Sequence, residues 1–237
     1  MKAAILAGGL ASRLKGVVDD RPKCLVEING QPFLWHLLRR VRKAGFTHVV
    51  MLTGHRSNAV RDYLDNGSAF GLEVEYSVEP APLGTAGAVK HAQPLLPDPF
   101  LLLNGDTLVD VDLGLMRDAH ATSPARSATI ALCRMDDAST YGSVVVDTAN
   151  RVLRFDEKCP EPAPGLVNAG AYILAPEVLN LIPAGVPYSM ERDLLPSLLT
   201  RQMPVYGFQF QGEFIDIGTA ERLTIAAQHP LFNAPPI

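Results

Sequence analysis

The sequence predicts an α/β protein with a mainly parallel central sheet. Short apolar segments alternate along the chain with longer segments in which apolar residues recur at intervals of three and four, as in strand–helix–strand units. Of the 237 residues, 47% are hydrophobic and 19% are charged, which suits one sizeable core. This composition excludes a chain that is disordered throughout.

Charge, cysteine content and the length of apolar runs exclude several classes of function. The formal net charge is −4, whereas a general nucleic-acid-binding protein needs a dense basic face. No run approaches the roughly 18–20 apolar residues of a membrane helix, and the apolar stretch before Gly8 is too short for a signal peptide. We therefore expect a cytoplasmic protein without a nucleic-acid or membrane partner, and the sequence leaves a homo-oligomer open. The cysteines are too few and too scattered for a disulfide framework or a zinc site: Cys24, Cys133 and Cys159.

The first half of the chain predicts strands joined by helices. The opening strand, 3–7, is an apolar run that continues into two glycines. The first helix, 33–44, has apolar residues at helical spacing with basic residues on its other side, and Gly45 ends it. The later strands are aliphatic runs and the later helices show helical spacing. Strands are predicted at 48–53, 72–78 and 99–104, and helices at 57–64, with Ser57 or Asn58 as cap, and at 84–93, with Thr85 as candidate cap.

The second half changes to strands joined by short turns, and helices return near its end. The segment 160–164 is loop-like but too short for a domain linker. We therefore expect one domain over 1–230 and a loose C-terminal tail at 231–237. Strands are predicted at 127–134, 142–147, 151–156 and 165–174, and helices at 191–201 and 220–228.

Two glycines and two basic residues near the N-terminus predict a polyphosphate site. Gly8 and Gly9 follow the first strand, and backbone without side chains lets N–H groups approach an anion. Arg13 supplies a planar cationic fork and Lys23 a mobile point charge. The glycines alone would indicate only a turn, and the segment matches neither the P-loop nor the dinucleotide-binding fingerprint.

Two aspartates near strand ends predict a site for a divalent cation. Asp106 follows the strand at 99–104, and Asp216 lies in a similar setting before a predicted helix. Ligands gather at the carboxyl ends of parallel strands. Mg²⁺ takes one or two protein carboxylates and fills its other positions with water and phosphate oxygen. Either aspartate alone is more often a turn residue or a helix cap.

The segment 6–14, LAGGLASRL, followed by Pro22 and Lys23, resembles the N-terminal signature of the sugar-1-phosphate nucleotidylyltransferases. These enzymes make nucleotide sugars from a nucleoside triphosphate and a sugar 1-phosphate, and their signature is Leu-Ala-Gly-Gly-x-Gly-Thr-Arg-Leu. The chain has Ala11 and Ser12 where the signature has glycine and threonine. Further segments match the family in the same order: 79–88, 104–106, the group 141–142, 156–158 and 168–170, and 214–219.

The resemblance implies a single Rossmann-like three-layer α/β/α domain with a mixed, mainly parallel central sheet, the GT-A-like nucleotidyltransferase fold. The first half would bind the nucleotide and the second half the sugar phosphate. An oxygen of the sugar 1-phosphate would attack the α-phosphorus of the triphosphate and release pyrophosphate, with charge neutralisation as the main requirement. That oxygen is already ionised near pH 7, so we expect no general base, and no histidine falls in the matching segments.

The same resemblance implies a role for each matching residue. Arg13 would stabilise the leaving pyrophosphate, Lys23 the α-phosphate region, and Lys158 would anchor the incoming phosphate. Asp106 and Asp216 would bind Mg²⁺, and Arg13, Lys23 and Asp106 form the implied catalytic set. The implied nucleotide contacts are Leu6, Ala7, Gly8, Gly9, Glu79, Pro82, Gly84, Thr85, Asn104 and Gly105. The implied sugar-phosphate contacts are Gly142, Glu157, Lys158 and Asn168.

Within the family, the segments 13–23, 188–195 and 214–218 look most like the guanylyltransferases that act on D-glycero-α-D-manno-heptose 1-phosphate. GTP is therefore favoured, with GDP-heptose as product. Mannose 1-phosphate guanylyltransferases, and uridylyltransferases acting on N-acetylmuramic acid 1-phosphate or a hexose 1-phosphate, stay open as alternatives. A paralogue that binds nucleotide sugars without turnover has no need to keep both metal aspartates, and a redox enzyme with a dinucleotide fold would need the glycine pattern that is missing.

Overall fold

A nine-stranded mixed sheet with helices on both faces organises the residues that the computed structural model describes, which are 1–9, 21–122, 125–139, 141–157 and 163–233. The strands in chain order are β1 (Ala3–Leu6), β2 (Glu27–Ile28), β3 (Gln31–Pro32), β4 (His48–Thr53), β5 (Glu73–Val78), β6 (Phe100–Asn104), β7 (Thr107–Val109), β8 (Ala128–Met135), β9 (Gly142–Val146), β10 (Val152–Glu157), β11 (Gly165–Leu174), β12 (Val205–Phe210) and β13 (Phe214–Asp216). The helices are α1 (Phe33–Lys43), α2 (Ser57–Leu64), α3 (Gly84–His91), α4 (Leu113–Ala121), α5 (Leu195–Thr200) and α6 (Ala220–Gln228).

β1 lies at the centre of the parallel half of the sheet. β4 and β6 pair with it in parallel on either side, and β5 adds a parallel edge beyond β4. The register places Leu6 beside both Leu52 and Asn104, so the chain leaves β1, β4 and β6 at one edge of the sheet. Loops that follow parallel strands at such an edge can meet around a ligand.

β11 joins this parallel half to an antiparallel half. It is antiparallel to β6, β8 and β9, while β10 extends the sheet beyond β9 and β12 runs parallel to β8. Two small antiparallel pairs, β2 with β3 and β7 with β13, lie outside the main sheet. The sheet is therefore mixed, as expected.

Alternate residues of the central strands face two separate apolar layers. In β1, Ile5 faces one layer with Leu34 of α1, whereas Ala4 faces the other with Val89 of α3 and Leu198 of α5. All five of these side chains are fully buried. A sheet with a helical layer on each face confirms the α/β/α fold class that the sequence predicted.

Most predicted elements occur within two residues of their predicted bounds, but the helix predicted at 191–201 is shorter. One turn of π-helix spans Met190–Leu194, and α5 begins at Leu195. Pro196 has no N–H to donate to the preceding turn, so regular α-helical hydrogen bonding cannot continue through this point. The elements β7, α4 and β12, and the short pair β2–β3, were not predicted, whereas the strand expected to end near Asp216 is present as β13.

The start of α2 also differs from the prediction. Neither Ser57 nor Asn58 caps the helix. Arg56 precedes it in the left-handed region, with φ of 59°, and makes no side-chain cap hydrogen bond.

The C-terminal segment packs onto the domain beyond the predicted boundary at 230. A 3₁₀ turn spans Pro230–Phe232, and the Phe232 ring lies 5.8 Å from that of Phe33 and 5.0 Å from that of His36. The folded chain therefore reaches at least residue 233, and 234–237 lie outside the described residues. No helix in the described part of the chain has the length and apolar character needed to cross a membrane.

Candidate functional site

A cavity of about 710 Å³ lies at the edge of the sheet where β1, β4, β5 and β6 end. Loops after these strands, the start of α3 and the segment before α5 form its wall. Residues expected from the sequence that line it are Leu6, Ala7, Gly8, Gly9, Lys23, Glu79, Pro82, Gly84, Thr85, Asn104, Gly105 and Asp106.

Lys23 and Asp106 form an ion pair on the cavity wall. Lys23 begins a 3₁₀ turn after Pro22, and its Nζ donates to Asp106 Oδ2. The Lys23 side chain is 13% exposed and that of Asp106 is 38% exposed. A largely buried ammonium thus lies beside an accessible carboxylate at the end of β6.

Asp216 lies next to Asp106, although the two are far apart in sequence. β13 pairs with β7 so that Asp216 is opposite Thr107, and the N–H of Ile217 donates to the carbonyl oxygen of Asp106 at 3.0 Å. The short β7–β13 pair therefore brings the two predicted metal aspartates to the same place.

Arg222, which the sequence analysis did not select, contacts Asp216. It lies in the first turn of α6, where Thr219 caps the helix by accepting from the Arg222 N–H. Its guanidinium donates to Asp216 Oδ2 and lies 5.5 Å from the centre of the Tyr141 ring. The hydrogen bond to Asp216 raises the pKa of Arg222. A sequence signal for Arg222 did exist, because it lies in the first turn of the predicted helix that follows the strand ending at Asp216.

The two carboxylates suit a divalent ion that is shared with a phosphate ligand. Asp106 and Asp216 each contact a cation, Lys23 or Arg222, which offsets part of their negative charge. Among the described residues no cluster of three or more histidine, cysteine, aspartate or glutamate side chains could enclose a metal. Mg²⁺ needs only one or two protein carboxylates because water and phosphate oxygens complete its shell.

Glu79 enters the cavity just after β5. Its Oε2 accepts from the N–H of Leu83 at 3.0 Å. A Cβ atom built at Gly8 would lie 3.0 Å from Glu79 Oε1, and one built at Gly54 would lie 2.7 Å from the same oxygen. The carboxylate therefore has its present position because these two residues are glycines. Burial raises the pKa of Glu79. This carboxyl group is therefore fixed in a partly water-excluded part of the wall.

Thr85 lies on the wall, but it is not the cap of α3 that the sequence predicts. Leu83 occupies the cap position without a side-chain hydrogen bond, and Thr85 Oγ1 accepts from the N–H of Met190 at 2.7 Å. The Tyr188 carbonyl accepts from Ala86 and Gly87 at the start of the same helix. These bonds fasten the segment before α5 to the start of α3 and so close one side of the cavity.

Asn168, predicted as a sugar contact, lies beneath the wall and is not part of it. Its Nδ2 donates to Tyr172 Oη at 2.7 Å and to Glu191 Oε1 at 3.1 Å, while its Oδ1 accepts from the N–H of Gly170. Tyr172 and Glu191 do line the cavity. The sequence analysis selected neither, because Tyr172 has the appearance of a core residue and Glu191 that of an exposed charge.

The sequence analysis also missed other wall residues, among them His55 and Cys24. His55 follows β4 after Gly54, and Cys24 follows Lys23. Burial raises the pKa of the Cys24 thiol to about 12, so it is protonated at neutral pH. The signal for His55 was its position directly after the end of a parallel strand.

Several predicted residues are not on this wall or lie outside the described residues. Gly142 pairs with Glu157 across β9 and β10, away from the cavity wall. Arg13 and Lys158 lie outside the described residues.

The fold and the cavity define an α/β protein with an open site at the carboxyl ends of its parallel strands. Lys23 and Asp106 line this site, and Asp216 lies beside Asp106 but is not among the lining residues. A family model described as "Nucleotidyl transferase" matches residues 2–231, and the chain belongs to this family.

Named relatives and a solved structure extend this match. The chain is 36% identical over 221 residues to "Mannose-1-phosphate guanylyltransferase" of Mycobacterium tuberculosis, covering 92% of this chain but only 61% of that relative. It is 32% identical to "D-glycero-alpha-D-manno-heptose 1-phosphate guanylyltransferase" of Campylobacter jejuni, over 93% of this chain and 96% of the relative. The crystal structure of HddC from Yersinia pseudotuberculosis complexed with GMP-PN is 30% identical, with a TM-score of 0.82 over 96% of this chain and 98% of that one.

Proposed function

We propose that the chain transfers a nucleoside monophosphate from a nucleoside triphosphate to a sugar 1-phosphate and releases pyrophosphate. The observation that carries the proposal is the meeting of Lys23, Asp106 and Asp216 at the sheet edge, beside the glycines that follow β1. Membership of the nucleotidyl transferase family supports it, as do relatives named as guanylyltransferases.

In the proposed reaction, an oxygen of the sugar 1-phosphate forms a bond to the α-phosphorus, and the bond from that phosphorus to the β-phosphate oxygen breaks. Both reactants are anions, so positioning and charge neutralisation dominate the barrier. The attacking oxygen is already ionised, so no side chain has to remove a proton.

The chain's own groups would divide this task. Asp106 and Asp216 would hold Mg²⁺, which supplies charge neutralisation to the reacting phosphates when it is bound. The Lys23 ammonium, which is paired with Asp106, would contact an α-phosphate oxygen. Arg13 would stabilise the leaving pyrophosphate and Lys158 would anchor the incoming phosphate.

Glu79 favours GTP as the nucleotide. Guanine presents its N1–H and an N2–H side by side, and a carboxylate can accept both. Uracil presents a single N–H between two carbonyl oxygens, which repel a carboxylate. A partly buried acceptor left without its donors costs binding energy, so the Glu79 site discriminates between the two bases.

For the sugar, we propose D-glycero-α-D-manno-heptose 1-phosphate. The Campylobacter jejuni relative of this name matches over almost its whole length, whereas the chain spans about three fifths of the mannose-1-phosphate guanylyltransferase relatives. Mannose 1-phosphate is the second candidate because these relatives are 36% identical to the chain.

The test is a matrix of the common nucleoside triphosphates against heptose, mannose and glucose 1-phosphates, with product mass and pyrophosphate release as readouts. We expect Mg²⁺-dependent formation of a GDP-sugar, with the heptose phosphate giving the highest kcat/KM. Asp106→Asn should weaken Mg²⁺ binding, and Lys23→Ala removes a cation that would stabilise the phosphates. Each should therefore slow pyrophosphate release by about 100-fold or more.

The matched controls Asp98→Asn and Lys43→Ala alter exposed residues away from the cavity and should keep wild-type turnover. Near wild-type rates in both site variants, with unchanged melting temperatures, would disprove the assigned roles. Tight nucleotide-sugar binding without any turnover would instead identify a binding paralogue.

A further inference from the structure

Glu191 is a carboxylate on the cavity wall that two buried side chains position. It lies in the π-helical turn Met190–Leu194, just before α5, and its residue is exposed to solvent. Beneath it lie Asn168, which is 8% exposed, and Tyr172, which is 1% exposed.

The hydrogen bonds within this group run from the core to the cavity. Asn168 Nδ2 donates both to Tyr172 Oη and to Glu191 Oε1, at 2.7 and 3.1 Å. Tyr172 is also hydrogen-bonded to Glu191, and burial together with the charge of Glu191 raises the pKa of Tyr172 far above its ordinary value. The phenol is therefore protonated at neutral pH, and its O–H can donate to the carboxylate.

Backbone contacts fix the position of this group from both sides. Gly170 N–H donates to Asn168 Oδ1, which sets the orientation of the amide, and Thr85 Oγ1 accepts from the N–H of Met190, the residue before Glu191. Such doubly supported carboxylates lose little freedom when a ligand binds, and this lowers the cost of binding.

From this arrangement we infer that Glu191 binds hydroxyl groups of a sugar ring in the cavity, and that Asn168 and Tyr172 are its positioning residues. The inference rests on the proposed function, which places two hydroxylated rings in the site: the ribose of the nucleotide and the ring of the sugar 1-phosphate. A carboxylate repels phosphate, but it accepts hydrogen bonds from hydroxyls and has room for about four donors.

The chemistry of the wall supports a hydroxyl ligand at this position. Lys23 and the glycines after β1 also line the cavity and offer positive charge and N–H groups for phosphate. Glu191 instead follows Met190, whose N–H donates to Thr85 at the start of α3, and the hydroxyl-bearing Ser189 lines the same cavity. Asn168, which was predicted to contact the sugar, would then act indirectly by positioning Glu191.

The experiment measures KM for each substrate in the wild type, Glu191→Gln, Tyr172→Phe and the double variant. Glu191→Gln should raise KM for one substrate by about 10- to 100-fold, the loss expected for a hydrogen bond to a charged group, with a smaller change in kcat. Tyr172→Phe should raise the KM of the same substrate less. The double variant should resemble Glu191→Gln, because Tyr172 acts through Glu191.

The source of the hydroxyls follows from which KM changes. A rise confined to the sugar 1-phosphate identifies the transferred sugar. A rise confined to the triphosphate that disappears with the 2′,3′-dideoxy triphosphate identifies the ribose. Unchanged KM for both substrates, or a rise that is equal for ribose and dideoxyribose triphosphates, would overturn the inference.

Two controls keep this result separate from other failures. Glu177→Gln removes an exposed charge elsewhere and should leave both KM values unchanged. Wild-type turnover is measured first, so that an inactive wild type refutes the proposed function, whereas an active wild type with an unaffected Glu191→Gln refutes only the role of Glu191. Because Glu191 is exposed, this variant tests the inference even if Tyr172→Phe fails to fold.

Discussion

Glu79 illustrates how much a single side chain in this site depends on its neighbours. Its carboxylate fits between the loops after β1 and β4 only because Gly8 and Gly54 have no side chains. The same crowding removes water and raises its pKa, because burial disfavours the charged form. A guanine base would offset this cost by supplying N–H donors to the ionised carboxylate.

Glu79→Gln should therefore lower kcat/KM for GTP by about 10- to 100-fold and leave the low activity with UTP equal or higher. The wild type should also show a pH effect. Only the ionised carboxylate accepts both guanine donors, so KM for GTP should rise as the pH falls through the Glu79 pKa, which lies above its ordinary value of 4.5.

Steady-state kinetics across the acid range, with both nucleotides and both proteins, tests this prediction. The difference between the two proteins isolates Glu79 from titration of the phosphates, because the amide cannot ionise. A GTP-to-UTP ratio that is the same in wild type and variant would show that Glu79 does not select the base.

Site residues that lie in a local sequence pattern could be predicted, whereas those positioned by contacts between distant segments could not. Gly8 and Asp106 follow strand ends, and Lys23 follows Pro22 in the signature segment, all of which are local patterns. Arg222 and Glu191 are positioned by contacts with Asp216 and Asn168, and no local sequence pattern marks them.

At the level of secondary structure, elements with a long apolar pattern were predictable and short ones were not. β4, α2, β11 and α6 match their predicted bounds. β7 and β13 are three residues each and exist through pairing between distant segments, so neither has a pattern of its own. The helix α4 was missed although it offered a cap signal, since the Asp112 side chain accepts from the N–H of Leu115.

The backbone conformation at the start of α3 requires glycine at position 84, and this can be tested. Gly84 has φ of +71°, and a Cβ atom there would lie 2.8 Å from the carbonyl oxygen of Tyr188. Gly84→Ala should lower the free energy of unfolding by more than the roughly 1–2 kcal/mol of a left-handed alanine. It should also raise KM for the triphosphate, because Glu79 is anchored to the N–H of Leu83.

Gly30→Ala is the matched control for Gly84→Ala. Gly30 has a similar φ of +78°, but nothing lies within 4 Å of its Cβ position. It should therefore show the backbone cost alone, in urea denaturation, and leave KM unchanged. Equal losses of stability in the two variants would mean that the contact with Tyr188 has no energetic weight.

At the level of the whole molecule, the alternation of strands and helices was enough to predict a three-layer fold. Alternate residues of a buried strand must face opposite layers, as Ala4 and Ile5 do, so each layer needs its own helices. The sequence did not predict that β11 would pair with β6, β8 and β9, because a strand's partners depend on the packing of the entire sheet. The family resemblance implied that Asp106 and Asp216 act together, and the pairing of β7 with β13 explains why they lie close together in the fold.

The anchoring of the C-terminal segment connects this architecture to the site. α6 positions Arg222 beside Asp216, and the turn that follows α6 buries Phe232 against α1.

Phe232→Ala should therefore lower the free energy of unfolding by about 3–5 kcal/mol, the usual cost of emptying a buried aromatic position. Ile225→Ala, at a 52% exposed position of α6, should change it by no more than about 0.5 kcal/mol. Urea denaturation of both variants measures the contrast. Equal stabilities would show that the segment after α6 is not part of the core, and that Asp216 and Arg222 are held by β13 and the helix cap alone.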